Sequence, residues 1–470
     1  MHVEIVVIGG GIGGYTAALE AAHNGLSVSL IEAGGIGGTC LNVGCIPTKS
    51  LLESAKIWSR AHQRGWIVSS CMSELEWATV QQEKDVVVKK LTSGVTSLLE
   101  RAGVKVVQGY GQFVNEKEII VSKAGDTQRF YFDRAIIATG SKVSIPPIPG
   151  VNEIGVYTSD EILSLRDIPK RIIIIGGGVI GIEFASLFRQ LSSQVVVIEF
   201  VEEILSNSDR KTVKYLKEIL RRQEITFYTN TAVQRIKRDD LKGDLQVYAS
   251  REDSSVIQMN ADAVLLATGR VQNIERLGLE TTKIEMDEGR IIVDRYCRTS
   301  QPDIYAIGDC ASEMMLAHVA MADAHTAVAD ILGKVRSKGN RYLIPQCVYS
   351  QPEMASVGMT EEEVKMLGVR YQVSEIPLRA NGRALIEKGD GICRLIFETQ
   401  TGIVLGVHMI GPNVTEVIQE AVVALQLEGT IRELTEVVHA HPTISEVLHE
   451  AAWLGIGTPI HVSKREVLSR

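Results

Sequence analysis

The sequence lacks an excess of basic residues, a long apolar segment and a visible leader. Its formal net charge is -8, which gives no support for binding nucleic acid. The longest apolar runs, such as IIIIGGGVIGI at residues 172–182, are too short and too rich in glycine to span a bilayer. The opening HVEIVVIGGG is typical of a strand that enters a glycine turn, so no signal peptide is expected. These absences favour a cytoplasmic protein that binds neither membranes nor nucleic acids.

A disulfide framework is also missing, because the seven cysteines are an odd number and only Cys40 and Cys45 are close in sequence. This pattern argues against a secreted protein and favours a reducing compartment with one redox-active pair. We expect structural burial for the others, which are Cys71, Cys297, Cys310, Cys347 and Cys393. No metal site is predicted.

The two neighbouring cysteines lie in residues 34–50, GGIGGTCLNVGCIPTKS. On a regular helix, side chains five positions apart would point about 140° from each other, so a disulfide needs an irregular backbone. Gly44 permits such a bend, and Pro47 suits the first turn of a helix that starts after it. Cys45 would then face a helix N-terminus, which favours a thiolate. Two interpretations stay open here: a reversible disulfide, or two buried thiols.

A glycine motif occurs twice, each time between an apolar strand and a helical stretch. The first copy closes with an acid at the end of the next strand, 23 positions after its first glycine, and the second copy has the same spacing. Glycines in this pattern let a backbone approach a pyrophosphate, and the acid accepts a ribose hydroxyl. Both units end in a strand that closes on Ala-Thr-Gly, so the chain contains two nucleotide-binding units of one architecture. The residues are Gly9, Gly11, Gly14, Glu32 and Gly140 in the first unit, and Gly176, Gly178, Gly181, Glu199 and Gly269 in the second.

Glu199 bears on the choice of cofactor. An acid at this position bonds an unphosphorylated ribose and repels a 2′-phosphate, so the second unit should prefer NAD over NADP. The following residues, FVEE, contain no arginine. The alternative is a merely solvated surface acid.

The remaining pattern predicts an α/β fold: two Rossmann-like dinucleotide-binding domains and a C-terminal α+β domain. A helix is expected at Trp77–Arg101, and strands at residues 104–114, 118–122 and 129–139. Near the C-terminus, CVYS, VRYQVSE, CRLIFET and VLGVHMIG read as strands, followed by helices from residues 414, 430 and 443. The predicted boundaries are 1–144, 145–268, 269–341 and 342–470, with the first and third segments forming one domain.

Two further candidates lie outside the glycine motifs. Asp309 leaves a short strand after a glycine and could accept a ligand hydroxyl, although an ordinary turn aspartate is the alternative. His441 stands before Pro442 on the approach to a helix and is a candidate base. Thr443 with Glu446 reads as a capping box, which gives Glu446 a structural explanation.

Taken together, GGTCLNVGCIPTK, both glycine motifs, ATG and ATGR, AIGD and HAHPTISE resemble the disulfide-linked flavoprotein reductases, the class I pyridine nucleotide-disulfide oxidoreductases. The similarity covers essentially the whole chain, in order. Within the family it looks most like the lipoamide branch. MLAHVAMADAHT is a departure, since relatives usually have Glu-Gly near Ala324.

The resemblance implies FAD in the first unit, NAD in the second and a homodimer through the C-terminal domain. Lys49, paired with Glu183, would lie near the isoalloxazine, and His441 with Glu446 would serve the partner subunit's disulfide. The remaining implied FAD contacts are Gly9, Gly11, Gly14, Glu32, Thr39, Gly111, Gly140, Asp309 and Ala317. The implied NAD contacts are Gly176, Gly178, Gly181, Glu199, Val233 and Gly269.

The implied activity is oxidation of protein-bound dihydrolipoamide through a Cys40–Cys45 disulfide and FAD, with reduction of NAD⁺. Implied partners are the lipoyl domains of 2-oxoacid dehydrogenase complexes or of the glycine cleavage carrier protein. One rival is an NADPH-dependent reductase of the glutathione or mercuric type, although the tail lacks the cysteine pair of mercuric reductases. The second rival is a flavoprotein that only binds or senses a partner, and the presence of Cys40 and Cys45 argues against it.

Overall fold

A computed structural model describes residues 1–64, 75–239 and 243–463 of the chain. It contains two similar parallel sheets, each with an antiparallel meander, and a third, antiparallel sheet near the C-terminus. None of the described helices is long and apolar enough to cross a membrane.

The strands are short and mostly apolar on at least one face. In chain order they are β1 (His2–Ile8), β2 (Val28–Glu32), β3 (Lys105–Gln108), β4 (Tyr110–Asn115), β5 (Glu118–Lys123), β6 (Asp126–Ile137), β7 (Ser141–Val143), β8 (Val156–Thr158), β9 (Arg171–Ile175), β10 (Gln194–Ile198), β11 (Ile225–Tyr228), β12 (Thr231–Arg238), β13 (Leu245–Arg251), β14 (Val256–Ala261), β15 (Ala263–Leu266), β16 (Arg270–Gln272), β17 (Met286–Asp287), β18 (Arg290–Ile291), β19 (Ile304–Ala306), β20 (Gln346–Val348), β21 (Glu353–Gly358), β22 (Tyr371–Pro377), β23 (Ile392–Glu398) and β24 (Val404–Gly411).

The helices either cover the sheets or carry site residues at their N-termini. They are α1 (Ile12–His23), α2 (Gly38–Asn42), α3 (Cys45–Gln63), α4 (Trp77–Arg101), α5 (Val179–Gln190), α6 (Arg210–Arg222), α7 (Ala317–Ile331), α8 (Glu361–Met366), α9 (Gly382–Ile386), α10 (Val414–Gln426), α11 (Ile431–Glu436) and α12 (Glu446–Gly455).

The first sheet has the order β3-β2-β1-β6-β5-β4, and β19 also pairs with β6. Strand β6 is long enough to do both: its first half pairs with β5 and its last residues pair with β19. Strand β1 is buried on both faces because helices cover one side and the meander covers the other, as expected for a parallel sheet.

The second sheet has the order β11-β10-β9-β15-β8, and its meander is β12-β13-β14. This is the same plan as the first sheet, with β9, β10 and β11 in the places of β1, β2 and β3. The predicted repeat is therefore present in the fold. Strand β7 leads the chain from the first sheet to the second, and β16 leads it back. These two strands pair with each other.

The third sheet, β20-β21-β24-β23-β22, is antiparallel. One face packs against α10, α11 and α12 around a core that includes Leu395, Val407 and Met409. This confirms the predicted α+β character of the C-terminal part, so the predicted fold class is confirmed as a whole.

Some local predictions were wrong. The predicted strand at residues 104–114 is two strands, because Gly109, with a φ of 148°, interrupts the extended backbone. Strand β3 pairs with β2, and β4 pairs with β5. Strand β21 was missed. The helix predicted to start after Pro47 starts at Cys45. The capping box is only half formed: helix α12 begins at Glu446, whose carboxylate accepts the Thr443 N–H, but the Thr443 hydroxyl has no hydrogen-bond partner.

Candidate active site and nucleotide sites

The cysteine segment bends as its glycines predict. Cys40 lies on the short helix α2, and Cys45 is the first residue of α3, with Gly44 between the helices at φ -140° and ψ -115°. A Cβ on Gly44 would lie 2.8 Å from the carbonyl oxygen of Thr39. This break in the helix brings side chains that are five positions apart into contact.

The two thiols are free and interact with each other. The Cys40 thiol donates a hydrogen bond to the Cys45 sulfur, which lowers the pKa of Cys45 to about 7; burial opposes this shift and the charge of Lys49 adds to it. The same hydrogen bond raises the pKa of Cys40. The pair is therefore asymmetric: Cys45 is the thiolate near neutral pH, and Cys40 keeps its proton.

Lys49 lies one helical turn after Cys45 and forms an ion pair across to α5. Its Nζ is 2.8 Å and 3.0 Å from the two carboxylate oxygens of Glu183, so the predicted pairing of these side chains is present. Glu183 is 5% exposed, whereas Lys49 is 32% exposed. Tyr349 completes the group, since its backbone N–H donates to Glu183 and its ring centroid is 4.6 Å from Lys49 Nζ.

The two glycine turns have equivalent geometry. A Cβ on Gly9 or Gly176, the first glycine of each motif, would lie 2.3 or 2.2 Å from the carbonyl oxygen of the alanine that follows β6 or β15. A Cβ on the third glycine, Gly14 or Gly181, would overlap the first glycine's carbonyl oxygen. The second glycine directly precedes each helix. A Cβ on Gly11 would lie 3.9 Å from Gly38, and a Cβ on Gly178 would meet nothing within 4 Å. Each helix N-terminus therefore faces open space that a pyrophosphate can approach.

The acids at the strand ends occupy matching positions. Glu32 accepts hydrogen bonds from the N–H groups of Gly10 and Gly34, and Glu199 accepts them from Gly177 and Val201. Each residue of the second set lies 167 positions after its counterpart. The open helix starts and the acids at the ends of the neighbouring strands fit a dinucleotide at each turn.

Asp309 belongs to a network that sequence reasoning missed. Ser141 Oγ donates to Asp309 at 2.6 Å, and Arg270 Nε donates to Ser141 Oγ at 2.8 Å. Arg270 also donates to Thr39 Oγ1 at 3.2 Å. Asp309 is thus linked to the residue beside Cys40, which an isolated turn aspartate would not be. The available signal was Arg270 itself, which directly follows the Ala-Thr-Gly of the second unit.

The other predicted cofactor contacts lie on elements that border the turns. Gly111 is on β4, and a Cβ there would lie 3.2 Å from Ile8. Gly140 and Gly269 both have positive φ, at 68° and 108°. Ala317 is the first residue of α7, and Val233 stands at a bulge in β12. Their contacts with a cofactor stay predictions.

His441 and Glu446 form a pair at the start of α12. His441 Nδ1 is 2.8 Å from Glu446 Oε1, and the other oxygen of Glu446 accepts the Thr443 N–H at 2.7 Å. The His441 side chain is 79% exposed. Among the hydrogen bonds and ion pairs of the described residues, none joins His441 to Cys40 or Cys45, so within one chain the structure does not bring the candidate base to the thiols.

The scattered cysteines follow the prediction in part. Cys297, Cys310 and Cys393 are buried, as expected. Cys347 is only half-buried and lies close enough to Lys49 and Glu183 for their charges to affect its pKa. Cys71 lies outside the described residues.

Comparisons with known proteins match this geometry. Residues 3–324 match the pyridine nucleotide-disulphide oxidoreductase family, and residues 344–452 match the family's dimerisation domain, which supports a homodimer. The chain is 38% identical to a dihydrolipoyl dehydrogenase of Bacillus subtilis, over 97% of this chain and 99% of the relative. It is 39% identical to a mitochondrial dihydrolipoyl dehydrogenase of Pisum sativum, over 98% and 92%.

A solved structure of a related protein has the same fold. The HOCl-induced flavoprotein disulfide reductase RclA of Escherichia coli superposes with a TM-score of 0.87 at 29% identity, over 96% of this chain and 99% of that one. Sequence, fold and site geometry lead to one conclusion: the chain belongs to the pyridine nucleotide-disulphide oxidoreductase family and is a flavoprotein oxidoreductase that uses FAD and NAD.

Proposed function

We propose that the chain oxidises dihydrolipoamide to lipoamide and reduces NAD⁺ to NADH. The observation that carries the redox chemistry is the asymmetric thiol pair at the start of α3, in which Cys40 holds the proton and Cys45 is the thiolate beside Lys49. The choice of lipoamide is supported by relatives that carry that activity in their names over nearly the full chain. The choice of NAD is supported by Glu199, whose charge would repel a 2′-phosphate.

The base in this proposal is His441. Because Nδ1 faces the Glu446 carboxylate at 2.8 Å, the ring donates its proton there and leaves Nε2 as the acceptor. Nε2 removes a proton from one thiol of dihydrolipoamide, and Glu446 stabilises the imidazolium that forms. Since no hydrogen bond or ion pair among the described residues joins His441 to the thiols of its own chain, we propose that it acts on the partner subunit's disulfide.

The exchange then proceeds between sulfurs. The substrate thiolate attacks Cys40 of the oxidised Cys40–Cys45 disulfide, and Cys45 leaves as the thiolate that its low pKa favours. The second substrate thiol then attacks the substrate sulfur of the mixed disulfide, and lipoamide leaves as its ring disulfide. His441 gives the first proton to the departing Cys40 sulfur, which becomes a thiol, and takes the proton of the second substrate thiol, which passes on to solvent. The two cysteines now hold the electron pair.

FAD and NAD fit at the first and second glycine turns. Gly11 and the start of α1, with Glu32, Thr39 and Asp309, would hold FAD, while the start of α5 and Glu199 would hold NAD. The chemistry supplied by bound FAD is acceptance of the electron pair and hydride transfer to NAD⁺. Lys49, with Glu183 limiting its charge, would place a positive group near the isoalloxazine.

We propose a domain division at 1–144 with 269–341 for FAD, 145–268 for NAD and 342–470 for dimerisation. The pairing of β19 with β6 and of β7 with β16 supports the discontinuous first domain. The proposed partners are lipoyl domains of 2-oxoacid dehydrogenase complexes or of the glycine cleavage carrier protein, in the cytoplasm.

The test compares two assays on the purified yellow protein: NAD⁺ reduction by dihydrolipoamide, and glutathione disulfide reduction by NADPH. The proposal expects turnover in the first, little in the second, and a long-wavelength thiolate–flavin absorbance after reduction. Cys45→Ser should abolish both the turnover and the absorbance. Turnover only with NADPH and glutathione would favour the rival reductase, and a yellow protein inert in both assays would favour a sensing role.

A further inference from the structure

A buried arginine connects the C-terminal sheet to the second glycine unit. Arg394 on β23 has no exposed side-chain surface, and its direct neighbours across the sheet are Glu375 on β22 and His408 on β24. Directly paired residues of antiparallel strands point to the same face. The three side chains therefore form a polar row on the face opposite the apolar core of that sheet.

Asp209, from the second glycine unit, pairs with this row. Arg394 donates from Nη1 to Asp209, which is also fully buried, and from Nη2 to Glu361 at 2.5 Å. Burial works to raise the pKa of Asp209, but the charges of His408 and Arg394 hold it at about 2. Asp209 is therefore an anion, and the contact between the two parts of the chain is a buried ion pair.

The row is not an optimised stabilising cluster. Buried polar atoms usually have hydrogen-bond partners, yet Asp209 Oδ2 and His408 Nδ1 have none. Arg394 Nε and Glu375 Oε2 lie 3.3 Å apart as an ion pair but without hydrogen-bond geometry. Buried ion pairs add little net stability compared with apolar packing, but removing one partner leaves an uncompensated charge. Such an arrangement specifies position more than it strengthens the fold.

The position that it specifies is that of a loop beside Glu199. Asp209 caps α6 by accepting the Thr212 N–H at 2.9 Å, and it ends the loop at residues 200–209. The other part of that loop touches the glycine turn: Leu205 N–H donates to the Gly177 carbonyl at 3.0 Å. A Cβ on Gly177 would lie 2.8 Å from Ile204. The loop is thus held near its middle by the glycine turn and at its end by Arg394.

We propose that Arg394 is a positioning residue for NAD: through Asp209, it holds the loop at residues 200–209 against the second glycine turn. A loop that samples other conformations lowers the binding-competent fraction and weakens apparent affinity. The C-terminal domain thereby sets NAD affinity without touching the nucleotide. This inference rests on the proposed use of the second turn by NAD.

The main variant is Asp209→Asn, since Asn is also a good N-cap and still accepts the Thr212 N–H, but has no charge for Arg394. The matched control is Lys211→Met. Lys211 is 55% exposed and lies 3.1 Å from Glu375, so it crosses the same junction at the surface. Two quantities are measured on the flavin-loaded protein: the Kd for NADH by fluorescence titration, and the rate of flavin reduction by dihydrolipoamide.

We expect Asp209→Asn to weaken NADH binding about tenfold, within the range of coupling between distant sites, with the rate of flavin reduction unchanged. Lys211→Met should change neither. An unchanged Kd in Asp209→Asn overturns the inference, as does an equal loss in Lys211→Met or a parallel loss of flavin reduction. If Asp209→Asn fails to fold, Arg394→Lys is measured instead. Lysine keeps the positive charge but cannot bond Asp209 and Glu361 through the two arms of a guanidinium. Weaker NADH binding in this variant supports the inference, and unchanged binding overturns it. A wild-type protein that does not bind NADH refutes the proposed function instead.

Discussion

Cys45 shows how neighbouring groups set the chemistry of one residue. Its pKa is lowered to about 7 by the hydrogen bond from Cys40 and by Lys49, against the effect of burial. A lowered pKa favours the folded, reduced state: this contribution is complete above the usual thiol value of 9.0 and is lost as the pH falls through about 7. Sequence reasoning placed the thiolate correctly at a helix start, but the hydrogen bond from Cys40 depends on a backbone break whose geometry no local pattern specifies.

The first prediction concerns Lys49→Met. Removing the ammonium should raise the pKa of Cys45, because the nearby positive charge stabilises the thiolate. The measurement is the rate of alkylation of the reduced protein across neutral pH, with the wild-type midpoint near 7. Lys56→Met is the control, since Lys56 lies two turns further along α3 and pairs with Glu353 at 3.5 Å. Equal midpoints in Lys49→Met and wild type would contradict the role given to Lys49.

The second prediction concerns Glu199→Gln. Gly177 and Val201 donate to different carboxylate oxygens of Glu199, so the amide keeps an acceptor for only one of them. It removes the charge that repels a 2′-phosphate. The ratio of kcat/KM for NADH to that for NADPH should fall severalfold. Glu202→Gln serves as the control, because Glu202 is an exposed acid in the same loop. A preference that changes equally in both variants would mean that general surface charge, and not Glu199, sets it.

At the scale of elements, helix α12 shows what the sequence could and could not reveal. The capping-box pattern predicted a helix starting at Thr443, but the helix begins at Glu446. The carboxylate instead bridges the Thr443 N–H and His441. Local propensity identified the right residues and assigned Glu446 a purely structural role, because the competing partner, His441, lies five positions away across a bend. Arg394 was missed for a related reason: it sits in an apolar strand pattern, and its partners come from distant parts of the chain.

The third prediction tests that bridge at the start of α12. Glu446→Gln keeps a hydrogen-bonding side chain but no longer stabilises the charged imidazole, so turnover with dihydrolipoamide should fall about a hundredfold, the usual scale for general-base catalysis. NADH oxidation with an artificial electron acceptor should not change. Ser445→Ala is the control, since Ser445 makes no side-chain capping bond. A loss of both activities would assign Glu446 to folding instead.

At the scale of the whole molecule, the repeat explains why so much of the fold was predictable. Two units with the same strand order and equivalent glycine turns leave few alternatives for the first two-thirds of the chain. The site needs more than this repeat, because its thiols lie in the first unit while His441 lies, exposed, in the C-terminal domain. On the proposed mechanism, the complete site is assembled only in the dimer.

The final prediction follows from this division. Cys45→Ser and His441→Gln homodimers should each be nearly inactive with dihydrolipoamide. After the two are unfolded together and refolded as a mixture, a two-fold dimer with one chain of each kind contains one site with intact thiols and an intact base. Because random pairing makes half of the dimers mixed and each has one working site, about a quarter of wild-type activity should return. If His441 served the thiols of its own chain, every site in a mixed dimer would carry a defect and no activity would return.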